Sequence, residues 1–145
     1  MITPLEKIVR FCAYQDRSVY ETRLKIRTLK VSKEEEEQMI SRLIEEHFLD
    51  DTRFAETFVR GKMNSKGWGI AKIKAGLFQK GVAESIIQTV LADIDTTQLV
   101  ENMDKEIMKW KRSHLLNPDT KPKLIRFLLS KGYTFDQIMN KIEKL

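Results

Sequence analysis

The chain is poor in residues that cross-link or interrupt a fold, with one cysteine, three prolines and six glycines among 145 residues. A lone Cys12 excludes an internal disulfide and a thiolate-ligated metal cluster. Its neighbours, "IVRFCAY", read as the surroundings of a buried structural thiol rather than a reactive one. His47 and His114 stand far apart, and neither belongs to a metal-ligand or acid–base motif. No apolar run approaches the roughly 18 residues needed to cross a bilayer. The opening "MITPLEKIVRF" carries no hydrophobic signal segment, so the expected location is the cytoplasm. There is no G-x-x-x-x-G-K-[ST] loop and no nucleophile set beside a base. Neither an enzyme nor a cofactor is expected.

Hydrophobic residues make up 41% of the chain, enough to build a packed core. Lys and Arg number 26 against 21 Asp and Glu, a formal net charge of +5 that suits nucleic acid or an acidic protein surface. Apolar residues recur with a period near 3.6, which predicts an all-α protein. Helix starts are marked by T-x-x-E at Thr3–Glu6 with Pro4 at the first helical position, S-x-x-E at Ser32–Glu35, and T-x-x-Q at Thr134–Gln137. Tyr133 and Ile138 occupy the staple positions around the last of these. The "KEEEE" run from Lys33 to Glu37 reads as a solvated helix start favoured by the helix dipole.

The chain also resembles itself. "KIKAGLFQKGVAESIIQTVL" (72–91) returns as "KLIRFLLSKGYTFDQIMNKI" (123–142), with Lys80 on Lys131 and Gly81 on Gly132 at a constant shift of 51. Each copy reads as a helix stopped by Lys-Gly, the glycine supplying a left-handed cap, followed by a second amphipathic helix. The N-terminal part fits at a shift of 49, Leu5 on Phe54 and Val9 on Phe58, with Lys30-Val31 where Lys-Gly would stand. Three tandem three-helix repeats follow, spanning 3–49, 50–95 and 96–145. One such repeat buries too little apolar surface to be robust alone, so an elongated, curved array with shared contacts is expected. "SHLLNPDTKP" (113–122) forms a longer loop with a turn at Asn117-Pro118-Asp119.

The middle repeat opens with "LDDTRFAETFVRGK" (49–62). Asp51 is expected at the N-cap, Asp50 complementing the dipole beside it. Phe54, Ala55 and Phe58 share the core stripe. Arg53 and Arg60 project together from the far side, with Glu56 spaced to pair with either. From Arg53 to Lys80, seven basic residues face the single acid Glu56, a formal +6. Lys105 to Lys131 repeats that excess with eight basic residues against Glu106 and Asp119. Lys62, Lys66, Lys72, Lys74, Lys111, Arg112, Lys123 and Arg126 therefore join Arg53 and Arg60 as candidate contacts on a positive surface. The bland reading leaves these charges solvating separate helix faces. Trp68, between Gly67 and Gly69, is either a packing anchor or an aromatic able to stack on a base.

"FLDDTRFAETFVRGKMNSKGWGIAKIKAGLFQKGV" (48–82) closely resembles the central signature of the RecX family of bacterial recombination regulators. The pattern L-D-D-x-R-F-A is met by Leu49, Asp50, Asp51, Arg53, Phe54 and Ala55, then V-R by Val59 and Arg60, and K-G-[IV] by Lys80, Gly81 and Val82. Gly67-Trp68-Gly69 stands where many members have a Gly-Pro step. The resemblance implies tandem three-helix repeats and a monomer that binds the RecA filament on single-stranded DNA. It further implies inhibition of ATP hydrolysis and strand exchange, and so modulation of recombination, DNA repair and the SOS response. On that basis, replacing Arg53 and Arg60 by Ala should weaken filament binding at little cost in melting temperature. The rival reading is a helical module that binds nucleic acid without RecA.

Overall fold

A computed structural model of the chain describes residues 2–143, and all regular structure among them is helical. Nine α-helices are present among these residues: α1 Pro4–Tyr14, α2 Val19–Arg27, α3 Lys33–Glu45, α4 Asp51–Gly61, α5 Ile70–Gln79, α6 Glu84–Ala92, α7 Thr96–Lys111, α8 Lys121–Ser130 and α9 Phe135–Ile142. A π-helical turn, Lys62–Lys66, extends α4. None of the helices is long and apolar enough to cross a membrane.

The starts of these helices follow local chemistry. Thr3–Glu6 and Thr134–Gln137 form complete capping boxes, as the spacing predicts. Ser18–Glu21 forms a third, which was not anticipated from the sequence. At Ser32 only half the box is made: its hydroxyl accepts from Glu35 N–H at 3.1 Å, while Ser32 N–H does not donate to the Glu35 carboxylate.

The stops rely on left-handed residues. Gly81 (φ 75°) and Gly132 (φ 100°) hold the cap that Lys-Gly predicts, and Lys30 (φ 57°) holds it in the first copy. Lys30 N–H donates to Arg27 O at 3.3 Å, as Gly81 N–H does to Phe78 O and Gly132 N–H to Leu129 O, both at 3.0 Å. The first copy therefore keeps the turn geometry and accepts a side chain in a region that costs an L-residue about 1–2 kcal/mol.

The chain packs as two compact units, each discontinuous in sequence. Unit 1 comprises Met1–Phe58 and Leu77–Val90; unit 2 comprises Val59–Gly76 and Leu91–Leu145. In unit 1 a core of Ile8, Ile26, Ile40, Leu43 and Leu49 joins α1, α2 and α3. Cys12 lies in it, its Sγ 3.9 Å from the Thr22 hydroxyl, and burial pushes its pKa up. The thiol is structural, as its neighbours predict. In unit 2 Met103, Ile107 and Trp110 of α7 pack against Leu124 and Leu128 of α8 and Ile138 and Ile142 of α9. The staple residues Tyr133 and Ile138 both belong to this core.

Candidate interaction surface

The signature helix α4 begins one residue earlier than its cap was expected. Asp50, not Asp51, is the N-cap: its Oδ1 accepts from Thr52 N–H at 2.9 Å and Arg53 N–H at 3.1 Å. Asp51 turns away, and its Oδ1 accepts from the backbone N–H of Val19, the first residue of α2, at 2.9 Å. Burial raises the Asp51 pKa, while the Val19 bond opposes that rise. The two adjacent carboxylates thus accept backbone N–H groups at the starts of two different helices, Asp50 as the cap of α4 and Asp51 beside the Ser18 cap of α2.

Arg53 is engaged within unit 1 rather than held by Glu56. Its Nε lies 3.2 Å from Asp16 Oδ1, and its Nη groups donate to His47 O at 3.0 Å and Phe48 O at 3.2 Å. Thr57 donates to the other Asp16 oxygen at 3.0 Å. The expected ladder gives way to a guanidinium that ties the end of α3 to the link before α2. Its planar fork reaches a carboxylate and two carbonyls at once, which Glu56, one turn along α4, cannot offer. Of the core stripe, Phe54 and Ala55 are buried and Phe58 is half-buried, its ring centroid 5.9 Å from that of Phe54.

The helix start at "KEEEE" is less solvated than expected. Glu36 is buried and paired to Arg23 at 3.2 Å and Arg27 at 3.1 Å, and Arg23 also binds Glu37. The hydrogen bond from Arg27 depresses the Glu36 pKa, and that from Arg23 depresses the Glu37 pKa. Lys80 likewise pairs with Glu21 at 3.1 Å. Unit 1 holds eleven Lys and Arg against thirteen Asp and Glu, a formal −2.

Unit 2 has the opposite character, with fifteen Lys and Arg against eight Asp and Glu, a formal +7. Every candidate contact except Arg53 lies in it. Arg60, Lys66, Lys74, Lys111, Arg112, Lys123 and Arg126 are exposed. Lys62 and Lys72 are half-buried, their ammonium groups 4.7 and 4.6 Å from the centre of the Trp68 ring. Trp68, also half-buried, gathers two lysines that sequence separates by ten positions. Lys111 and Arg112 stand at the end of α7, and Lys123 and Arg126 on α8, none of them among the residues that line the cleft described next.

The π-turn and the face of α7 enclose a cleft of about 390 Å³. Lys66, Lys105, Lys109 and Lys131 line it, together with Glu106. Only Lys66 was a candidate from sequence. Lys105 and Lys109 lay in the second basic block, and their i,i+4 spacing, flanking Glu106, was the available signal. The walls are tied backbone to side chain: Asn102 donates to Met63 O at 3.0 Å, and Tyr133 OH to Gly67 O at 2.6 Å. Burial, reinforced by Glu106, pushes the Tyr133 pKa upward, which keeps that hydroxyl a donor. Gly69 N–H donates to Lys131 O at 2.8 Å, and Ala71 N–H to Gly132 O at 3.0 Å. A Cβ on Gly132 would sit 2.4 Å from that of Lys72 and 2.7 Å from its backbone nitrogen, so a glycine is required by space as well as by φ.

Known proteins share this architecture. The family description "RecX, second three-helix domain" matches residues 50–91. Regulatory protein RecX of Cronobacter sakazakii is 31% identical over 144 residues, covering 92% of this chain and 87% of that protein. Regulatory protein RecX of Clostridium tetani is 35% identical over 113 residues, covering 75% of this chain and 51% of that protein. The chain thus spans about half the length of the Clostridium relative. The crystal structure of RecX from Lactobacillus salivarius superposes with a TM-score of 0.85 at 27% identity, covering 98% of this chain and 94% of that one. With the signature helix, the helical fold and a near full-length relative in agreement, the chain belongs to the RecX family.

Proposed function

We propose that the protein is a non-enzymatic regulator that binds the RecA filament on single-stranded DNA and inhibits ATP hydrolysis and strand exchange. Family membership supplies RecA as the partner. The observation that carries the contact surface is the segregation of charge, a formal +7 on unit 2 beside −2 on unit 1. Under this reading Arg60, Lys62, Lys66, Lys72, Lys74, Lys111, Arg112, Lys123 and Arg126 contact acidic RecA surface, DNA phosphates or both, the arginines by bidentate geometry. Arg53 supports the signature helix from within. The protein acts as a cytoplasmic monomer, and the three repeats at 3–49, 50–95 and 96–145 are its evolutionary units.

Titration into a RecA–ssDNA ATPase assay, beside a salt series on bare DNA, tests the reading. Inhibition is expected at concentrations too low to coat bare DNA, and Lys123→Ala with Arg126→Ala should weaken it severalfold without changing helicity. Saturable binding to bare DNA with unchanged ATPase would instead favour a module that acts on nucleic acid without RecA.

A further inference from the structure

Unit 1 is formally acidic, yet four of its cations, Lys7, Arg10, Arg17 and Lys25, pair with no carboxylate among the described residues. The acids closest to them in sequence are compensated elsewhere. Glu6 accepts from Thr3 N–H at the start of α1, and Asp16 is held by Arg53 and Thr57. Glu21 accepts from Ser18 N–H and binds Lys80. The charge of the four cations is therefore available to an anionic ligand.

These cations surround two aromatic rings. On α1, Lys7, Phe11 and Tyr14 succeed one another at four and three residues, and Arg10 lies four before Tyr14, so they gather on one side of the helix. Ile8 and Cys12 take the side that faces the core. Phe11 is half-buried and packs against that core, which fixes its ring. Arg17 Cζ lies 3.9 Å from the Phe11 ring centre, and Arg17 Nε donates to Phe11 O at 3.0 Å. Lys25 of α2 approaches the same ring to 5.8 Å. The guanidinium is thus held by a ring and by one nitrogen, while its two Nη groups donate to no described residue. Such a positioned fork suits a phosphate, which it can grip through both outer nitrogens.

Tyr14 stands beside this fork, 82% exposed, its ring centre 6.0 Å from Arg17 Cζ. A carboxylate would satisfy the arginine and leave the tyrosine ring unused. One nucleotide engages both, its phosphate on the fork and its base on the ring, which favours nucleic acid over an acidic polypeptide. A duplex keeps its bases stacked on one another, so the strand has to be single.

We propose that the α1–α2 face of unit 1 binds single-stranded DNA. A base stacks on Tyr14, its phosphate sits in the fork of Arg17, and Lys7, Arg10 and Lys25 follow the flanking backbone. The site goes beyond the proposed function, whose contacts are on unit 2, and it needs no RecA.

The test is fluorescence anisotropy of the full chain on labelled oligo-dT and on an abasic strand of equal length, without RecA. Tyr14→Ala should weaken oligo-dT about tenfold, as the loss of one stacked base does, and leave the abasic strand unchanged. Tyr14→Phe keeps the ring and should bind like wild type. Arg17→Lys keeps the charge but not the fork, so it should weaken both strands. Lys25→Ala should lower the salt slope by about 0.7 on both, the value for one phosphate of a single strand. For Tyr14→Ala, no loss on oligo-dT, or an equal loss on the two strands, overturns the proposal. A second measurement needs no variant: oligo-dT carrying iodouracil should photocross-link to Tyr14 of wild type, and cross-links confined to unit 2 overturn the proposal as well. Binding of poly-glutamate that Tyr14→Ala weakens as much as oligo-dT overturns it in favour of an acidic polypeptide. Each of these failures leaves the filament reading in place, because that reading is tested by RecA ATPase.

Discussion

Arg53, a candidate contact in the sequence, is engaged by its own fold. Its side chain is 42% exposed, yet all three nitrogens of the guanidinium are engaged within unit 1. Arg53→Ala should therefore lower stability by about 1–2 kcal/mol, after discounting charged hydrogen bonds for solvent screening. Arg53→Lys should recover little of it, because a single ammonium cannot reach Asp16 and two carbonyls together. Urea unfolding midpoints measure both, and an unchanged midpoint for Arg53→Ala would return the residue to the candidate surface. The expectation that the Arg53, Arg60 double variant leaves melting nearly unaltered is thus replaced. The misreading has a physical origin. Glu56 is three positions away and visible in the sequence, whereas Asp16 is 37 away and becomes a neighbour only in the fold. Asp50 and Asp51 pose the same problem, since either fits the cap until Val19 decides.

At the level of elements, local patterns were legible and their tertiary use was not. Capping boxes depend on residues three apart, so Thr3–Glu6 and Thr134–Gln137 could be read directly. The acidic start of α3 could also be read, but not that Glu36 would turn inward to meet Arg23 and Arg27 of α2. That pairing has a pH signature. The Glu36 and Glu37 pKa values are depressed on folding, so their stabilisation is complete above the ordinary glutamate value of about 4.3. It is lost as pH falls through the lower folded values. Asp51 runs oppositely: its raised pKa favours the fold as it protonates, which offsets part of the loss. Thermal melts between about pH 6 and pH 3 should show a steep acid limb in wild type, and a shallower one in Arg23→Ala with Arg27→Ala. An equally steep limb in that variant would mean that other carboxylates govern acid unfolding.

For the molecule as a whole, the helical class and the family signature were legible because both reside in periodicity and short spacings. The composition gave only a modest +5, and the two basic blocks hinted that the charge was uneven. Its separation between units became visible only once residues 59–76 were seen to join 91–145. The cleft was hidden for the same reason: Lys66 and Lys131 meet across 65 positions, Lys131 Nζ lying 3.5 Å from Lys66 O. Unit 1 likewise draws residues 77–90 into its first 58. A fragment of residues 1–49 lacks Asp51 and that later segment, so it should unfold without a cooperative transition, as circular dichroism in urea would report. A sharp two-state curve for the fragment would make the first repeat self-sufficient.

The carboxylate of Asp51 gives this protein a schedule as well as a shape. On the ribosome, α1, α2 and α3 are synthesised before Asp51, whose carboxylate adds a bond to the start of α2 beyond the one Ser18 supplies. Leu77–Val90, which also packs with the first unit, follows later still. The first unit is therefore completed by residues made after its own apolar core, which lies between Ile8 and Leu49.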